Sequence, residues 1–260
     1  MTNWIKELPN KNRCVYSQGG QDGIIEWIAE NIQIDNKFCV EFGYNAPGLT
    51  GGSGPNCGNL VIHKGWKNLF LGGDHEIPEI NLYRDFLTTE NILEVFRKYG
   101  VPSNPGYISV DVDSTDLWLL DKLLEEYSPS FFSVEFNPNI PHNYAIAFPN
   151  DPKECWQGTR VMGSSLKCFD IVSKKHGYSL VYAGSYSQNG HHDAFFVRND
   201  LIEGMELPAL EDFNHTHEFL HHPEHGGRHQ ICLDYEHWLV HGDVVAAQQA
   251  ALPITTKYLT

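Results

Sequence analysis

Nowhere in the 260 residues is there an unbroken apolar stretch of the ~20 residues that a membrane helix needs, which excludes a spanning helix. The opening residues, MTNWIKELPNKNR, carry no apolar run behind their charges, so they do not read as a secretory signal, and a cytoplasmic location is expected. Basic residues are scarce: 18 Lys and Arg stand against 33 Asp and Glu, a formal net charge of −15. They form no cluster that could neutralise phosphates, which argues against a nucleic-acid partner and favours a neutral or cationic one. No CxxC spacing occurs. The six cysteines (Cys14, Cys39, Cys57, Cys155, Cys168 and Cys232) are scattered, as expected of buried thiols and not of a zinc site or a disulfide framework. Cys39 and Cys168 lie in apolar stretches and are expected in the core. A GxGxxG loop is also lacking, so a pyrophosphate-binding dinucleotide site has little support.

What is present is an alternation of short apolar strands and amphipathic helices. The spacing of Ile24, Trp27, Ile28 and Ile32 predicts a helix over 17–32. FCVEFG (38–43) reads as a buried parallel strand, followed by a Gly- and Pro-rich loop over 44–58. NLVIHKG (59–65) reads as a short helix ending on Gly, and NLFLGGD (68–74) as the second strand. FLTTEN (86–91) is the candidate third strand, with a helix over 92–100. YISVDVD (107–113), a helix over 116–127, FFSVEFN (131–137) and a helix over 165–177 continue the alternation. YSLVYAGS (178–185) and HDAFFVRND (192–200) suit an antiparallel pair. The expected fold is α/β and Rossmann-like, a mostly parallel sheet closed by an antiparallel hairpin with helices on both faces. The expected division is an N-terminal helical cap (1–35), the core (36–202) and a C-terminal loop and helix extension (203–260).

Ligands in such sheets bind at the carboxyl ends of the strands. Those ends are acidic here: Glu41, Asp74, Glu90 with Asn91, Asp111 with Asp113, and Glu135 with Asn137. Carboxylates and amides accept from an ammonium, a ribose diol or an adenine amino group, so the pattern suits a cofactor without phosphates such as S-adenosylmethionine. Some of these acids also fit helix caps, and Asp116 in DSTDLW is assigned to capping.

The series SQGGQDGIIEWI, FCVEFG, NCGNLVIHKGWKNLFLGGD, TTEN, ISVDVDSTDLWLL, FFSVEFNPNIP, GSSLKCFDIVSKKHGYSLV and HDAFFVRNDL resembles the FkbM-type methyltransferase family over about residues 17–200. The resemblance implies a class I methyltransferase sheet and O-methylation with S-adenosylmethionine, often of sugar or polyketide hydroxyls. It implies that Glu41 and Gly43 face the methionine part, that Asp74 holds the ribose and that Thr89, Glu90 and Asn91 lie near adenine. Asn59 and Asp111 join the implied cofactor set. Relatives often carry Glu where this chain has Gly72, and the loop after Gly43 is longer than expected.

Methyl transfer to oxygen needs an aligned acceptor whose proton is removed, by a base or by help from a metal. Asp111, Glu135 and Asn137 form a hard oxygen set suited to Mg²⁺ or Mn²⁺, similar to that of metal-dependent O-methyltransferases. Asp111 and Asp113 are the candidate catalytic acids, and His142 the candidate base beside His191 and His192. NPNIP (137–141) lacks the second Pro of the amino-methyltransferase motif and follows the fifth strand, not the fourth. His217, His221 and His225 are spaced by four, but Pro223 and Gly226–Gly227 interrupt any helix aligning them, so a loop is expected. A terminal helix is expected over 236–252. The acceptor is a small molecule or a glycan; a catechol or polyketide hydroxyl and a non-catalytic binding protein stand as alternatives, and the oligomeric state is open.

Overall fold

The computed structural model describes residues 3–213 except 53, 139, 148–149, 151–162 and 186–188, together with residue 246. Cys155, Cys232, the histidine-rich stretch at 215–229 and, apart from residue 246, the helix expected over 236–252 lie outside the described residues. Seven strands form one sheet: β1 (Phe38–Phe42), β2 (Lys67–Gly72), β3 (Leu82–Arg84), β4 (Tyr107–Val110), β5 (Phe131–Glu135), β6 (Tyr178–Ala183) and β7 (Asp193–Arg198). Among the described residues five α-helices accompany them: α1 (Gln21–Asn31), α2 (Gly58–Lys64), α3 (Ile92–Lys98), α4 (Asp116–Leu123) and α5 (Leu166–Lys175). The strand order is β3-β2-β1-β4-β5-β7-β6. The first five strands are parallel, and β7 runs antiparallel to both β5 and β6. The fold is thus α/β and Rossmann-like. It departs from the dinucleotide-binding order 3-2-1-4-5-6 by inserting β7 between β5 and β6.

The alternation of side chains along each strand divides the core in two. Val40, Phe42, Ile108, Val110, Phe132 and Val134 pack on one face with α3, α4 and α5. Cys39, Phe70, Tyr107, Phe131 and Phe195 pack on the other with α1, α2 and the 3₁₀ turn at Trp4–Asn10. Each fully buried phenylalanine contributes about 1.5–3 kcal/mol relative to its exposed state. Local signals set the helix ends. Gly65 closes α2 at φ 68°, a left-handed conformation that Gly adopts without steric cost. The Ser165 hydroxyl accepts from the Cys168 N–H at the start of α5.

One element is displaced from its expected place. The third strand is Leu82–Arg84, not 86–91, which forms the turn leading into α3. A three-residue edge strand gives almost no periodicity to read. Asn91 explains why 86–91 turns: its Oδ1 accepts from the Thr88 N–H (2.8 Å) and its Nδ2 donates to the Phe86 carbonyl (2.8 Å). Among the described residues no helix is long and apolar enough to cross a membrane.

The chain runs outward from β1 to β3, then returns to β4 on the other side of β1. That reversal opens a crevice outside the carboxyl ends of β1 and β4.

Candidate functional site

Two cavities meet in this crevice, and both are lined by Phe42, Gly43 and Asp111. The larger, of about 290 Å³, lies over β2, β3 and β4 and is walled by Leu71, Leu87 and Val112, with Phe86 69% exposed at its lip. The smaller is polar and is lined by Gln18, Gln21, Glu41, Asn45, Asn56 and Ser109. Gly43 stands at their junction at φ 83°, and a β-carbon there would fall 1.5 Å from the Asp111 carbonyl oxygen. No other residue fits that crossing of β1 and β4.

The carboxylates at this end of the sheet fall into different environments. Glu41 is buried, and its two oxygens accept from the backbone N–H groups of Asn56 (2.9 Å) and Cys57 (2.7 Å). Burial pushes its pKa up to about 7 even though those N–H groups favour the charged form. Asn56 in turn donates from Nδ2 to Ser109 Oγ (3.0 Å), while its Oδ1 is buried with no partner among the described residues. Asp116, at the start of α4, accepts from the Val112 N–H (2.6 Å) and the Ser114 N–H (2.9 Å), with burial raising its pKa to about 6. It holds the turn before its helix, in keeping with a capping role.

That turn carries Asp113 at φ 62°, a left-handed conformation uncommon for any residue but Gly. The result is a cluster: Asp111, Asp113 and Glu135 each bring one carboxylate oxygen to within 4.8 Å of the others. Among the described residues no hydrogen-bond donor reaches any of the three carboxylates. Burial first, and then the neighbouring acids, hold the Asp111 and Glu135 carboxyls well above the usual carboxylate range. Asp111 and Glu135 are half-buried and Asp113 is exposed, and an all-oxygen donor set of this kind suits Mg²⁺ or Mn²⁺.

The remaining expected residues are spread more widely. Asn137 follows β5, fully buried, its N–H donating to the Ser164 carbonyl (2.8 Å). Asn59 points from α2 to Glu26 (3.1 Å). Asp74 is exposed beyond β2, and Glu90 is exposed beside Thr89 and Asn91 in the turn before α3. Neither Asp74 nor the 89–91 turn lines the two cavities; Asp85, Phe86 and Leu87 do. His142 is half-buried on the segment after β5, with Nδ1 buried and unpartnered among the described residues.

Sequence reasoning missed a group behind the cluster. Asp193, directly opposite Glu135 across the β5–β7 pair, accepts from Gln21 Nε2 (2.8 Å) and lies 3.0 Å from His191 Nδ1. Gln21 and Asp193 are 172 residues apart, and only the QD pair in SQGGQDG, polar where a helix begins, hinted at one partner. No protein-family model matches the sequence, and no curated protein matches it.

Proposed function

We propose that the protein is an S-adenosylmethionine-dependent O-methyltransferase acting on a hydroxyl of a sugar or glycan, assisted by a divalent cation. The observation that carries the reading is the junction at Gly43 and Asp111. A mostly apolar cavity, a small polar cavity and an unsatisfied carboxylate cluster adjoin there at the β1/β4 crevice. The cofactor has matching parts. Its nucleoside suits the apolar cavity, and its ammonium suits the polar one, where Asn56 Oδ1 and Glu41 are acceptors. No phosphate cradle is needed, in keeping with the lack of a Gly-rich fingerprint.

Bound there, S-adenosylmethionine supplies an electrophilic methyl group on sulfur. The chain must then align an acceptor oxygen in line with it and take the proton. Burial raises the proton affinity of Asp111 and Asp113. A carboxylate of raised proton affinity is a better base than an ordinary one, which fits either for that task, with His142 as the other candidate. Asp111, Asp113 and Glu135 would hold Mg²⁺ or Mn²⁺, whose charge lowers the pKa of a bound hydroxyl. Asp116 keeps the Asp113 turn in place, and Gln21 fixes Asp193 behind Glu135.

Calorimetry with S-adenosylmethionine tests the reading: binding is expected, and none at millimolar cofactor would exclude it and leave a non-catalytic role. A screen of free and glycan-linked sugars, with catechols and polyketides as controls, should transfer radiolabelled methyl to a sugar hydroxyl. Activity should fall in chelator and return with Mg²⁺ or Mn²⁺; full activity in chelator would remove the metal.

A further inference from the structure

The end of β2 bears no side chain. A β-carbon on Gly72 would fall 2.0 Å from the Tyr44 carbonyl oxygen, because the chain leaving β1 crosses there, with the Tyr44 N–H donating to the Leu71 carbonyl (3.0 Å). No acid can stand at position 72 in this backbone. Gly73 is open, with nothing within 4 Å of where its β-carbon would be, and it lines the apolar cavity. Asp74 is exposed and does not line it.

The neighbouring strand supplies a carboxylate at the same level. Gly72 pairs with Arg84 in the parallel β2–β3 register, so Asp85 follows at the height of Gly73. Asp85 lines the cavity, with its side chain 22% exposed. Its Oδ2 accepts from the Tyr99 hydroxyl (2.6 Å) and from Lys98 Nζ (3.0 Å), and the Tyr99 ring is stacked on Tyr83 at 4.3 Å. Those contacts hold the carboxylate from one side. Oδ1 accepts from no described residue and keeps both of its acceptor positions.

We infer that Asp85 is the carboxylate that binds the cofactor's ribose diol, one strand away from where an acid after β2 would have done so. The inference rests on the methyltransferase reading. A vicinal diol offers two hydroxyl donors to Oδ1, and the side-chain-free Gly72–Gly73 segment leaves the approach unobstructed.

The test is calorimetry on the full chain with S-adenosylhomocysteine and its 2′-deoxyribose analogue. Asp85→Asn should bind S-adenosylhomocysteine about tenfold to a hundredfold more weakly, as expected for loss of hydrogen bonds to a charged group. Asp74→Asn should bind as the unsubstituted protein does. The deoxy analogue should show a comparable loss on the unsubstituted protein but little further loss on Asp85→Asn, because both changes remove the same interaction. Unchanged binding by Asp85→Asn, or a loss that appears in Asp74→Asn instead, would overturn the assignment. If Asp85→Asn does not fold, the ligand arm decides: equal binding of the two ligands by the unsubstituted protein overturns the inference. Failure of that protein to bind S-adenosylhomocysteine at all overturns both this inference and the methyltransferase reading.

Discussion

Two sets of acids sit at the same end of the sheet, and they differ in what they face. Asp22, Glu41 and Asp116 are buried against backbone N–H groups. Asp22 Oδ2 alone accepts from the N–H groups of Val15, Tyr16 and Ser17 and from the Ser17 hydroxyl. Asp111, Asp113 and Glu135 face one another instead. The first set ties loops to helix starts. The second stores repulsion that a ligand can release. The difference teaches that an acid at a strand end is informative only through its donors.

Substitutions should separate the two sets by sign. Asp22→Ala strands the buried N–H of Ser17 and the part-buried N–H groups of Val15 and Tyr16, and should destabilise the fold by about 3 kcal/mol, measured by urea unfolding. A loss below about 1 kcal/mol would erase the distinction. Glu135→Gln should do the reverse in metal-free buffer at pH 8, stabilising by about 1 kcal/mol because it removes a carboxyl whose charged form burial and the neighbouring acids disfavour. Mg²⁺ or Mn²⁺ should raise the melting temperature of the unsubstituted protein by several degrees, and Glu135→Gln should abolish that rise.

The pH dependence follows from the direction of the shifts. A carboxyl whose folded pKa is raised gives stability that is fully present below its unfolded value and lost as pH rises through its folded value. For Asp116 and Glu41, with folded values of about 6 and 7, the loss runs from about pH 4 to just above 7. Asp111 and Glu135 add to it in the same direction. Melting temperature in chelator should therefore fall between pH 5 and pH 8, with Glu135→Gln showing the shallower fall; a rising profile would contradict the assignment. The smallest effect belongs to acids that face water: Asp74→Asn should leave the melting temperature unchanged.

Much of this was legible in the chain. The apolar runs at 38–42, 107–110 and 131–135 read directly as strands, and Ser165 and Gly65 marked helix ends. The alternation also led to the proximity of Asp111, Asp113 and Glu135, since β4 and β5 are neighbours. What escaped depends on distant partners. Nothing near Glu41 indicates that both its oxygens accept from residues 56 and 57, and nothing near Gly72 shows the Tyr44 carbonyl above it. β3 is too short for a period, and the left-handed turn at Asp113 has no Gly to announce it. The insertion of β7 between β5 and β6 is a choice of partner that hairpin spacing alone does not reveal.

That insertion has a consequence for synthesis. β5 is complete at residue 135, but its outer neighbour is not made until residues 193–198 leave the ribosome. At ~5–20 residues per second, the edge of β5 stands open for several seconds. Over that interval Glu135 has neither Asp193 opposite it nor the strand that covers its flank. The surroundings of Glu135 are therefore completed only when β7 pairs with β5, well after Asp111, Asp113 and Glu135 themselves have been made.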